Sequence, residues 1–373
     1  MVREWPWTHT VFFVLHGLVF LMKQHSYSFY NGYLSTVLKE REMLVAQLKQ
    51  LEGISPVQSP STTGPQVSSL STLHLALEPS AQEWKERRKS IVQENTVPDT
   101  DKIIAAIDSG KPLDESQVHV FERLIQWEID GLTDELKGKA SSPSRAYPNR
   151  LTFTNFGEYI MLPTVVYELE YPRSERINWY YVAEKLVACF GIIFVMIMIS
   201  QTFIYPVVMQ TVYMKETGMP LGERFQAFPW MLADLVFPFL MEYLMSWYLI
   251  WETILNLLAE LTYFADRNFY GAWWNSVSWD GFARDWNRPV HNFLLRHVYH
   301  SSISAMKVNK HTATLITFFL SACVHELVMW CIFKKLRGYL LMLQMFQIPV
   351  SHVCQLRSFR DTLASFRHYE PRD

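Results

Sequence analysis

The sequence predicts an all-α polytopic transmembrane helix bundle with a long, partly disordered cytosolic insert. Three observations point there. The chain of 373 residues carries several apolar runs of spanning length, separated by one extended polar stretch. Hydrophobic residues make up 49% and aromatic residues 15%, and rings suit bilayer interfaces and lipid-lined tunnels. An ionisable pair, His325 and Glu326, sits near the middle of the apolar run His311 to Phe333, where such groups are costly and rarely kept without a reason. The mean hydropathy of +0.01 averages very apolar segments with the polar insert.

Residues 1–38 are the first transmembrane element, apolar and aromatic from Thr8 to Leu38 with a more polar second half. No basic region leads to a small-residue cleavage site, so no signal peptide is read. Residues 39–180 are the insert. Lys39 to Gly53 has a charged helical pattern. Ile54 to Thr72 is rich in Ser, Pro, Thr and Gly, the composition of a flexible linker. Glu78 to Lys102 is charged and poor in core patterning. Asp114 to Leu136 repeats apolar residues at helical spacing, with Val120, Leu124, Trp127 and Leu132 on one face. This helix docks on the membrane surface or on the bundle, or is an ordinary soluble helix in a connecting region. Pro143 and Pro148 close it, and Leu162 to Tyr181 suits a membrane entry.

Residues 181–353 are the transmembrane core, and 354–373 a polar tail. Val182 to Met209 is one span, since ~1.5 Å of rise per residue carries it past a ~30 Å hydrocarbon core. Phe228 to Phe264 is about twice the minimum length, so it is either one long tilted helix or two helices with a tight break. His311 to Phe333 is a further span, and Leu336 to Val353 is marginal. Five or six membrane segments are expected. Loop 265–310 carries Arg267, Arg284, Arg288, Arg296, Lys307 and Lys310, which places it in the cytosol with the insert. That requires an even number of crossings between the two, and it favours the single long helix.

A net charge of -2 argues against a nucleic-acid partner. Cys189, Cys323, Cys331 and Cys354 form no CxxC pair and read as small buried hydrophobes. The neutral imidazole of His325 takes a proton from an alcohol near neutral pH; the alternative is a histidine bonded to a neighbouring helix for packing. Glu326 points about 100° away on the helix, so it is a structural partner to an Arg or to backbone. HELVM lacks the second histidine of HExxH, so no metal site is expected. Asn287, at the end of RDWN, either donates to a developing oxyanion or caps a turn before Pro289. In FYGAWWN, Phe269, Tyr270, Trp273, Trp274 and Asn275 adjoin basic residues. Such rings and cations cradle an acyl-CoA, or form an interfacial aromatic belt. Trp286 to Tyr299 reads as an interfacial amphipathic helix with Arg296 and His297 on its polar side. No GxSxG elbow is present.

At these residues the chain resembles the membrane-bound O-acyltransferases, and most closely the sterol O-acyltransferases of fungal type. FYGAWWN is similar to the family pattern FYxDWWN. Asn287 in DWNRPVH and His325 in SACVHE stand where the family has its asparagine and its histidine. MKQHSYSFYNGYL, from Met22, and PTVVYELEYPR, from Pro163, are also similar. The resemblance implies a multi-pass endoplasmic-reticulum enzyme that moves a fatty acyl group from acyl-CoA to the 3-hydroxyl of an ergosterol-like sterol. His325 would be the general base and Asn287 would position or polarise the reacting groups. Acyl-CoA would be a co-substrate at the FYGAWWN loop, with no cofactor. The partners implied are membrane lipids and a second copy of the chain, as a homo-oligomer. Ala272 departs from the pattern, which has Asp there. Against the family the chain looks truncated at both ends, so little or no activity is expected of it alone.

Overall fold

A computed structural model describes residues 6–52 and 115–350. The linker Ile54 to Thr72, the charged stretch Glu78 to Lys102 and the tail 354–373 lie outside the described residues. Among the described residues the regular structure is helical, with one isolated bridge, Arg173 to Phe264. The chain divides into two compact units. One comprises Met1–Ile160, Thr164–Glu170 and Ala272–Asp373, and the other Met161–Pro163 and Tyr171–Gly271.

In the first unit, α1 (Trp7–Glu52) is one continuous helix. The sequence reading divided it at Leu38; no Gly or Pro breaks it there, and Lys39, Glu40 and Arg41 simply carry it on. It is not among the helices apolar enough to cross a membrane, because His9, His16 and Lys23 interrupt its apolar half. α2 (Glu115–Lys137) packs along it. Its buried stripe is Ile125, Ile129, Leu132 and Leu136, facing Leu34, Val37 and Leu44 of α1. Of the expected stripe, Leu132 is buried, but Leu124 is exposed and Trp127 half-buried. The side chain of Val120 lies outside the described ones. Polar contacts fix the pair, with Tyr33 donating to Glu135 and Arg41 Nε to Thr133 Oγ1 at 2.7 Å.

α3 (Phe153–Met161) comes next, and the segment 164–170 threads the unit's centre. There Tyr167 packs its ring against Tyr27, Tyr159 and Tyr30, with centroids 4.7, 5.1 and 6.0 Å away. Later elements are α6 (Trp279–Trp286), α7 (Arg288–Leu294), α8 (Lys310–Phe333) and α9 (Tyr339–Val350). α7 runs on through a π-helical turn, Leu295–His300, into Ser301–Met306.

The second unit is a helix pair. α4 (Trp179–Glu216) and α5 (Leu221–Leu261) are each continuous and long enough to cross a bilayer. Asn178 caps α4, its side chain accepting from the Tyr180 and Tyr181 N–H groups. A π-helical turn, Ser200–Ile204, precedes Pro206 in α4, and another, Tyr248–Ile254, interrupts α5. Phe190, Phe194, Phe203, Trp230 and Phe237 face outward, as expected where lipid is the solvent. The long-helix reading of Phe228 to Phe264 agrees with α5. Three described helices, α4, α5 and α8, are long and apolar enough to span, with α9 a shorter apolar helix. The expected five or six segments are therefore not reached among the described residues.

Candidate active site

Asn309 starts α8, its side chain accepting from the Thr312 N–H at 2.8 Å. The helix then carries His325 to the middle of its apolar length. His325 Nδ1 lies 2.7 Å from the carbonyl oxygen of Ser321, one turn earlier. A carbonyl only accepts, so Nδ1 holds a proton, and in the neutral ring the lone pair lies on Nε2. Nε2 makes no hydrogen bond among the described residues, and the side chain is exposed. Ser321 was not singled out in the sequence; its one signal is its place four residues before the histidine.

Glu326, next in line, is buried. Its Oε1 accepts from the N–H groups of Arg337 (3.1 Å) and Gly338 (2.6 Å), and its Oε2 from Leu340 (3.2 Å) and Leu341 (3.5 Å). The carboxylate thus caps α9, where unsatisfied donors and the helix dipole favour an anion. Of the two expected partners, backbone is the one found.

Asn287 leaves helical geometry at φ -148° and ψ 80°, which separates α6 from α7. Its Oδ1 accepts from the Val290 N–H at 3.3 Å, and its amide N–H groups make no hydrogen bond among the described residues. Asn287 and His325 share a unit, and no hydrogen bond joins them.

The aromatic motif divides between the units. In the second, Phe269 is buried with Leu162, Ala259 and Phe264. Tyr270 donates to Glu252 Oε2 at 2.7 Å; burial, and then the carboxylate, push its phenol up and keep it protonated. In the first, Trp273 packs against Trp286 (4.7 Å) and Phe282 (6.0 Å). Trp274 and Asn275 are exposed. Ala272 stands at the N-cap of the 3-10 turn Trp273–Asn275 and offers no side-chain cap; an Asp would supply one.

The polar side expected of Arg296 and His297 is turned inward. The π-helical turn rotates both into the unit, where Arg296 pairs with Glu168 at 2.6 Å and His297 Nε2 lies 2.7 Å from Ser26 Oγ. Ser26 also accepts from the Tyr167 N–H at 2.8 Å. Burial, then the Arg296 charge, lower the His297 pKa to about 3. Cys189, Cys323 and Cys331 are half-buried rather than core residues; Cys354 lies outside the described residues.

Fold and site define a membrane-helix protein with a histidine, its Nε2 without a hydrogen bond among the described residues, inside an apolar helix of spanning length. The profile of MBOAT, the membrane-bound O-acyltransferase family, matches residues 5–369, and the chain belongs to that family. It is 40% identical to Sterol O-acyltransferase 2 of Candida albicans, over 96% of this chain and 54% of the relative. It is 37% identical to Sterol O-acyltransferase 2 of Saccharomyces cerevisiae, over 95% of this chain and 46% of that one. Diacylglycerol O-acyltransferase 1 of Dictyostelium discoideum is 31% identical over 51% of this chain and 30% of its own length. The chain spans about half the length of the curated sterol O-acyltransferases it matches.

Proposed function

We propose that the protein transfers a fatty acyl group from acyl-CoA to the 3-hydroxyl of an ergosterol-like sterol, in the endoplasmic-reticulum membrane. The observation that carries this reading is the 40% identity to a sterol O-acyltransferase over 96% of the chain. The free Nε2 of His325 is the group the chemistry requires. His325 takes the hydroxyl proton as the sterol oxygen attacks the thioester carbonyl. The carbon–sulfur bond breaks, an ester forms, and the imidazolium returns its proton to the CoA thiolate. Acyl transfer is direct, without an acyl-enzyme. The amide N–H groups of Asn287 donate to the oxyanion of the tetrahedral intermediate. Trp274 and Asn275 offer an exposed aromatic and amide surface for acyl-CoA, which arrives from the cytosol. Assembly as a homo-oligomer belongs to the same reading.

A second acceptor, diacylglycerol, is favoured by the Dictyostelium match and keeps the chemistry of His325 unchanged. Both are tested in membranes stripped of other acyltransferases. Labelled oleoyl-CoA is supplied with a sterol and diacylglycerol in competition. The expected product is sterol ester, and His325→Ala should reduce its formation about 100-fold or more. Triacylglycerol as the product would select the second acceptor. No product with either acceptor would make the chain a non-catalytic family member.

A further inference from the structure

Within the second unit, one carboxylate joins both spanning helices to the aromatic motif. Lys185 of α4 is buried, and its Nζ lies 2.6 Å from Glu252 Oε1. Glu252 stands in the π-helical turn of α5, a feature that recurs at functional sites. Its other oxygen, Oε2, receives the Tyr270 hydroxyl at 2.7 Å and the Asn256 amide at 3.4 Å. The Tyr270 ring stands edge-on to Trp247, 4.6 Å between centroids. Lys185 also lies over the Tyr181 ring at 5.0 Å. An ion pair taken into a membrane-spanning helix pair is a poor stabiliser, since well-packed apolar residues hold helices together as firmly. It is retained where a charge has a task. The task on view is to offer a fixed, charged acceptor to a hydroxyl of the motif, in a charge-assisted bond stronger than a neutral one.

We propose that Glu252 is a positioning residue for acyl-CoA: locked by Lys185, its carboxylate holds the Tyr270 hydroxyl and so sets where the aromatic motif begins. The inference deepens the proposed function and rests on it for the identity of the ligand. Glu252 touches no reacting atom; it acts through Tyr270. The sequence alone could not supply this pairing, because Lys185 and Glu252 are far apart in the chain.

The test uses the whole chain in membranes, with Glu252→Ala, Glu252→Gln, Tyr270→Phe and the double variant Glu252→Ala/Tyr270→Phe. Tyr270→Phe removes one oxygen and leaves the ring, so it reports even where Glu252→Ala fails to fold. Glu252→Ala and Tyr270→Phe should each raise the KM for oleoyl-CoA about tenfold. The KM for sterol should stay constant, and the double variant should be no worse than either single one. Glu252→Gln still offers an oxygen to Tyr270 but loses the charge and the Lys185 lock, so its KM for oleoyl-CoA should also rise, by less than in Glu252→Ala. Additive losses, equal effects on both substrates, or a fall in kcat alone would overturn the proposal. A second readout needs no turnover. Tryptic cleavage after Arg267, just before the motif, should quicken about tenfold in Tyr270→Phe, as a loop released by about one hydrogen bond opens more often. If the unaltered chain transfers no acyl group, the proposed function fails and cleavage decides alone: quickening supports the positioning role, and no change overturns it.

Discussion

The proposed role of His325 as a base rests on a bond to its own helix. The Ser321 carbonyl, 2.7 Å away, fixes the proton on Nδ1 and leaves Nε2 to act. His297 shows the opposite use of the same side chain. It is buried beside Arg296 and His25, Ser26 meets its Nε2, and its pKa is lowered from 6.5 to about 3. Its folded form excludes the proton that the unfolded chain binds below 6.5. The stability it contributes is therefore full above pH 6.5, and it declines as pH falls from there towards about 3. Helix content on heating, compared at about pH 7.5 and about pH 4.5, should show a larger loss for the unaltered protein than for His297→Gln. An equal loss in both would mean that another group sets the acid sensitivity. The sequence set His325 apart by its apolar run and its motif, but not the partner of either ring, because those partners are brought near by folding.

The element scale divides in the same way. α4, α5 and α8 were legible as apolar runs because the bilayer demands length and hydropathy, and both are written locally. The stripe of α2 was not. Leu124 and Leu132 have the same residue type, yet only Leu132 is buried, together with Ile125, Ile129 and Leu136. A helix with apolar residues on adjoining faces does not say which face its neighbour will cover. Leu132→Ala should therefore lower stability by about 2–5 kcal/mol, while Leu124→Ala should change it by about 0.5 kcal/mol or less. Denaturant midpoints of the two variants in detergent measure the difference. Equal midpoints would mean that α2 does not dock through this face. The site obeys the same logic. Glu326 was legible as a structural partner because a buried carboxylate needs donors. That those donors are the N–H groups of Arg337 and Gly338 and of the first turn of α9 depends on a turn the sequence does not specify. The tilt of Arg296 and His297 into the interior escaped for a similar reason: a π-helical turn adds a residue to the helical period and rotates the side chains beyond it.

For the whole molecule, the continuity of α4 and α5 decides the parity of membrane crossings. Had α5 been two spans with a break, the chain would cross three times between the insert and loop 265–310. One continuous α5 makes it two, which would return the chain to the side where it began. The positive-inside rule then predicts the cationic loop on the cytosolic side with the insert, and the turn between α4 and α5 on the opposite side. In sealed vesicles with the cytosolic face outward, a cysteine at Met306→Cys should react with a membrane-impermeant maleimide. One at Glu216→Cys should react only after permeabilisation. Both positions are exposed at helix ends, so a lack of labelling reports the bilayer and not burial. Reaction of both without permeabilisation would show that α4 and α5 do not each cross once. The reverse pattern would invert the protein and place Trp274 and Asn275 away from cytosolic acyl-CoA, removing the route by which the proposed co-substrate arrives.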